Sequence, residues 1–223
     1  MKNPNFLSFL AMTVFIATAF AANPAAAISL KTETTNKVFE HAKIVQSVTI
    51  QNEDKTETAM NAVSHGLRKK TVFGLIPVSV YVMQVLAAKP EKLVKTADGF
   101  LASLKDAGPV QLHFTFSRNL PGDKIANSFK EGLEANNVNV TALSKELAQA
   151  LAQISEVKEF KEGQNFSITF TWAGDNATAY ITDPSLKIST ITGPKAFADQ
   201  LLSIWFGKTA DSRLEDLKQT LVK

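Results

Sequence analysis

Between Val110 and Ser117 the side chains alternate without a break: Val110, Leu112, Phe114 and Phe116 are apolar, and Gln111, His113, Thr115 and Ser117 are polar. A sustained period of two fits a β-strand with one face buried and little else. Phe166 to Trp172 repeats the pattern, with Phe166, Ile168, Phe170 and Trp172 on one face. Ala177 to Thr182 follows across a turn at Gly174-Asp175-Asn176. Further strands are expected at Ile44–Ile50, Thr56–Val63, Thr71–Ile76, Val78–Leu86 and Leu186–Ile191, which are rich in Val, Ile and Thr. Val78–Leu86 is apolar on both parities and predicts a strand covered on both faces. The polar rows of the two alternating strands predict instead that part of the sheet stays open to water or to a ligand.

Elsewhere the period lengthens. Leu93, Phe100, Leu101 and Leu104 predict a helix over Pro90–Ala107, and Ile125, Phe129 and Leu133 another from Gly122. Leu143, Leu147, Leu151 and Ile154 form a stripe that Thr141 is placed to cap. Phe197, Leu201, Ile204 and Trp205 follow Pro194 and stop at Gly207. Asp211 can cap a last helix carrying Leu214, Leu217 and Leu221. Strands in hairpins, with helices inserted in blocks, predict an α+β fold: one large antiparallel sheet packed against helices.

The first 27 residues do not belong to that domain. Lys2 precedes an uncharged apolar run from Phe6 to Phe20, and Ala19-Phe20-Ala21 and Ala25-Ala26-Ala27 are both small-residue cleavage patterns. This is the build of an export signal cut after Ala21 or Ala27. The run is too short for a membrane span, and no basic stop-transfer cluster follows it. The expected mature protein is a single domain, residues 28–223, periplasmic or secreted, with no transmembrane anchor. Cysteine is absent, which removes disulfides, thiolate metal sites and cysteine nucleophiles. The net charge is +3, and Arg68-Lys69-Lys70 is too short a basic run to predict a nucleic-acid partner. No phosphate loop, dinucleotide fingerprint, HExxH or GxSxG occurs, and His41, His65 and His113 are too scattered for a ligand set, so neither cofactor nor metal is expected.

One pair remains with chemical promise. If the chain reverses around Gly74 and Leu75, counting back along both arms sets Arg68 opposite Tyr81. Cross-strand partners bring their Cβ atoms to about 5 Å, so a guanidinium and a phenol converge on one point. A carboxylate suits it, since arginine grips that group with two parallel hydrogen bonds and the phenol adds a third donor. The alternative is plain stacking of Arg68 on Tyr81 at the sheet surface.

These residues carry a resemblance. Gly66-Leu67-Arg68-Lys69-Lys70-Thr71-Val72-Phe73 with Val80-Tyr81-Val82, and Pro194 to Lys208 followed by Asp211, Ser212 and Leu214, resemble the chalcone isomerase-like family from about Ile44 to Leu221. The resemblance implies that family's open-faced β-sandwich. It implies two functions as well. Members that bind fatty acids without turning them over grip the carboxylate with an arginine and a tyrosine, which Arg68 and Tyr81 match. Val80, Val82, Met83, Phe114 and Phe129 are then expected to line the cleft for the tail. True isomerases use the same arginine with further donors. Here Pro121 falls at their tyrosine and Ser128 at their asparagine, so an isomerase or lyase reading rests on Arg68, Tyr81 and Thr192 alone. Gln84 stands where the family has a small residue and Leu86 where it has an aromatic one, which predicts a narrowed or reshaped cleft. The leading expectation is an exported, non-catalytic binder of a fatty acid or similar small amphipathic carboxylate. A cell-envelope interaction protein with a vestigial cleft is the further alternative.

Overall fold

The alternating segments form consecutive strands of one sheet. A computed structural model describes residues 28–52, 54–72 and 75–223; the expected export signal lies outside the described residues. The strands are β1 (Ser29–Phe39), β2 (Ala42–Gln51), β3 (Glu57–Val72), β4 (Ile76–Ala87), β5 (Val110–Phe116), β6 (Asn165–Ala173), β7 (Asn176–Thr182) and β8 (Ile188–Pro194). They lie in the order β1 to β8, every neighbouring pair antiparallel. The α+β expectation holds, in its simplest topology, a meander. The expected strand Thr56–Val63 extends to Val72 as β3, because its pairing with β4 continues; of the expected strand Thr71–Ile76, Thr71 and Val72 end β3, Leu75 lies in the turn and Ile76 opens β4.

The helices occupy two insertions between strands and the segment after the last strand. α1 (Phe100–Ala107) follows β4; α2 (Gly122–Ala135) and α3 (Lys145–Glu156) follow β5; α4 (Lys195–Phe206) and α5 (Ser212–Leu221) follow β8. The long helix expected from Pro90 is a single 3₁₀ turn, Pro90–Lys92, separated from α1 by an extended link through Leu93. Ser144, not Thr141, caps α3: its Oγ accepts from the Leu147 N–H at 3.3 Å. Thr141 instead donates to Asn139 in the preceding turn. Asp211 caps α5 as expected, accepting from the Leu214 N–H at 2.9 Å.

All seven residues of β5 are buried, the polar ones included. On one face Val110, Leu112, Phe114 and Phe116 join the main core under the helices, with Phe166, Ile168, Phe170 and Trp205. On the other, the sheet curls until its first strands cover its own middle. Val45, Val48, Ile50, Met60 and Leu86 form a second, smaller core, with Leu30 of β1 and Tyr180 of β7 packed against it. Gln84 fastens this curl: its Oε1 accepts from the Val45 N–H at 2.9 Å and its Nε2 donates to the Lys43 carbonyl at 3.3 Å. The face expected to lie open is therefore largely covered, by the protein's own strands.

Candidate functional site

Arg68 and Tyr81 are direct partners in the β3–β4 ladder. Counting along the sequence placed them correctly for a different reason. Beside the turn the pairing runs one residue out of that register, with Lys69 opposite Ser79 and Val72 opposite Ile76. A bulge at Val80 absorbs the extra residue and brings Tyr81 level with Arg68. It also turns Val80 to the same side as Tyr81, where it packs against the main core.

The arginine is already engaged. Its guanidinium clasps the Asp211 carboxylate, Nη1 to Oδ1 at 2.9 Å and Nη2 to Oδ2 at 2.5 Å, and Nη1 also donates to the Lys69 carbonyl. Asp211 is the cap of α5, so the pair pins that helix to β3. Two more residues on the same face of β3 complete the seam. Ser64 Oγ donates to the Leu221 carbonyl at 2.6 Å, holding the far end of the helix. Gly66 lies between them, where a Cβ would come within 2.7 Å of the Leu217 side chain. Burial opposes ionisation of Asp211, but hydrogen bonds from Arg68 and the Leu214 backbone, with the guanidinium charge, hold its carboxyl below its usual value.

Tyr81 is 6% exposed. Burial pushes its hydroxyl above the ordinary phenol range, more than the Arg68 charge and the Trp205 hydrogen bond pull it down. The hydroxyl accepts from Trp205 Nε1 at 3.0 Å. Among the described residues it donates to none. Phe114 meets the Tyr81 ring edge-on at 5.2 Å, and Phe129 meets Trp205 edge-on at 4.9 Å. The aromatic cluster leaves little freedom to either polar tip.

Beside this pair is a cleft of about 40 Å³. Arg68, Tyr81, Val80, Phe129 and Ser128 are among the residues that line it. Met83 and Phe114 lie behind it as solid core. Val82 differs from the expectation: alternation along β4 sends it to the face opposite Tyr81, away from the cleft. Gln84 and Leu86 share that parity, so they do not narrow the cleft; they fasten and fill the curl behind the sheet. Thr192 is also displaced from its expected role. It is exposed on β8, four strands from β4 or about 19 Å across the sheet, and its hydroxyl is 3.0 Å from that of Thr178. Larger concavities lie elsewhere, one of about 440 Å³ open at the end of α3 and one of about 230 Å³ under β1.

Sequence reasoning missed Asp211 as the arginine's partner and Trp205 as the tyrosine's. A buried arginine requires an anion and a buried phenol a polar contact. Both partners belong to the C-terminal block that carries the resemblance, which was the available signal.

Comparison with known proteins agrees with this architecture. A family model described as chalcone isomerase-like matches residues 36–222. No curated protein sequence matches the chain. Among solved structures, a fatty-acid binding protein of Arabidopsis thaliana is similar, with a TM-score of 0.54 and 12% identity over 78% of this chain and 95% of that one.

Proposed function

The chain belongs to the chalcone isomerase-like family, and from that premise we propose that it is an exported, non-catalytic protein that binds a small amphipathic carboxylate, a fatty acid in the simplest case. One observation carries the proposal: Arg68, 7% exposed, holds a carboxylate in a two-pronged clasp beside a buried tyrosine with a proton to donate. The geometry that grips Asp211 is the geometry that grips a ligand head group. Asp211 thus acts as an internal stand-in, and a guest acid displaces it. The tail enters where Phe129, Ile125, Ile204 and Leu214 now close the cleft, so binding requires α5 and α2 to separate. Export is the reading of the Phe6–Phe20 run and its alanine-rich end; among the described residues no helix is long and apolar enough to cross a membrane.

A second reading is favoured by the cleft's volume. At about 40 Å³ it is far below the roughly 300 Å³ at which ordinary ligand pockets begin, which suits an interaction protein with a vestigial cleft. The isomerase reading draws least support, because Thr192 lies remote from the donors it would have to join.

Native mass spectrometry of the protein from its own compartment, followed by solvent extraction and palmitate titration, separates these readings. A carboxylic acid should co-purify, be lost in Arg68→Ala, and bind about ten-fold more tightly in Asp211→Asn, where the internal competitor has lost its charge. An empty protein, with palmitate leaving the melting temperature unchanged in both wild type and Asp211→Asn, overturns the proposal.

A further inference from the structure

Hairpin turns are ordinarily polar, and most turns of this sheet obey. Glu40-His41, Asp54-Lys55 and Gly174-Asp175 lie in the β1–β2, β2–β3 and β6–β7 turns, and Leu186 between β7 and β8 stands among Asp183, Ser185 and Lys187. The β3–β4 hairpin instead carries an apolar tip. Leu75 is 85% exposed and Ile76 56%, the only adjacent pair among the large hydrophobic side chains exposed in the described residues. The turn is closed by its backbone, the Leu75 N–H donating to the Val72 carbonyl at 3.2 Å. Neither Leu75 nor Ile76 belongs to either core, so the fold makes no use of their apolar surface.

The charge along this hairpin has one sign. Arg68, Lys69 and Lys70 precede the tip, and no Asp or Glu occurs from Thr58 to Pro90. Residues paired across a ladder share a face. Lys70 and Val72 lie on one face with their partners Val78 and Ile76, and Lys69 and Thr71 on the other with Ser79 and Pro77. Each face thus carries one lysine, set back two or three positions from Val72, or about 7 to 10 Å. Lys69 is exposed. Lys70 pairs with Glu131 of α2 at 3.2 Å, both side chains near half exposed, and a bridge of that kind is weak enough to be exchanged for another anion. Arg68 is occupied by Asp211 and takes no part.

We propose that the β3–β4 tip docks on an anionic lipid bilayer, with Leu75 and Ile76 entering the boundary between headgroups and acyl chains and Lys69 and Lys70 reaching the lipid phosphates. The spacing fits. Interfacial helices seat their apolar face about 5 to 10 Å deep, which is the distance by which the lysines stand back from the tip. Their stems lie along apolar surface while the ammonium groups stay in the polar layer. A protein partner fits less well, because two side chains on a narrow turn fall far short of the roughly 1,000 Å² that a stable interface buries. Docking in this way brings the cleft that Lys70 helps to line to the level of the headgroups.

Co-sedimentation with lipid vesicles, no ligand added, tests this on the protein from its own compartment and on its variants. Wild type should bind vesicles of equal parts phosphatidylglycerol and phosphatidylcholine, and bind pure phosphatidylcholine about ten-fold more weakly or less. Leu75→Ser should weaken binding to the mixed vesicles about ten-fold and Lys69→Gln about five-fold. Both should keep the wild-type melting temperature, because both side chains are exposed. Leu75→Trp should retain binding and show a blue shift in fluorescence on the mixed vesicles that Trp172 and Trp205 do not give the wild type. No sedimentation with the mixed vesicles, equal binding to both lipids, or binding that Leu75→Ser leaves intact overturns the proposal. So does a wild-type oligomer that Leu75→Ser converts to monomer in velocity sedimentation, which assigns the tip to a second copy of the chain.

Discussion

The two faces of the sheet are buried by different means. Under the helices the layer is aromatic: Trp205 lies 5.3 Å from Phe114 and Phe100 4.8 Å from Phe206, and at one edge Arg68 pairs with Asp211 while Tyr81 accepts from Trp205. Behind the sheet the layer is mixed. Gln84, Gln111, His113, Thr115 and Thr169 are all buried there, covered by a strand pair instead of helices. The first face is held by apolar contact. The second combines a small apolar core with the Gln84 hydrogen bonds that fix where β2 lies, and it leaves the Gln111 Oε1 atom buried without a partner.

That contrast can be broken from either side. The largest effect is expected on the helix face: Trp205→Ala should cost about 4 kcal/mol in urea denaturation, since it empties the centre of the aromatic layer and strips Tyr81 of its donor. A loss under about 1 kcal/mol would mean that this layer is not the main source of stability. Behind the sheet the larger effect is one of pH. The fold keeps His113 neutral down to about pH 4, whereas the unfolded chain protonates it near 6.5. The unfolded state therefore binds the extra proton between those values, so this contribution is complete above pH 6.5 and declines as the pH falls. It amounts to about 3 kcal/mol by pH 4. Denaturation midpoints at pH 7.5 and 4.5 should diverge in the wild type and diverge much less in His113→Gln; equal divergence in both would place the acid sensitivity elsewhere. The smallest effect sharpens the boundary between the faces. Ser64→Ala removes one hydrogen bond from the α5 seam and should cost about 1 kcal/mol, with faster hydrogen exchange confined to α5.

Much of this was legible in the residues. The alternation of Val110–Phe116 and Phe166–Trp172 marks strands whatever surrounds them, and Pro194, Gly207 and Asp211 delimit the last helices. β1 was not legible, because Lys31-Thr32-Glu33-Thr34-Thr35 has no apolar row; it is a strand because β2 offers it an edge. The curl was hidden for the same reason. Alternation reports that two faces differ in polarity, not that the polar one is exposed. At the candidate site the Arg68–Tyr81 pairing was readable from local counting, although a bulge rather than the turn produces it. The Asp211 clasp was not, since it joins residues 143 positions apart and a capping aspartate looks the same whether or not an arginine waits for it.

The seam between α5 and β3 bears on the order in which the molecule assembles. Each strand of the meander pairs with the strand before it in the chain, directly or across a helical insertion, so the sheet can add strands in order as the chain lengthens. α5 must reach back across 143 to 157 positions to meet Arg68 and Ser64. Closing that loop is the most entropically costly contact made by the end of the chain. A polypeptide emerging amino terminus first, from a ribosome or through a membrane, can lay down its strands in turn, but the domain is finished only when residues 211–222 are released.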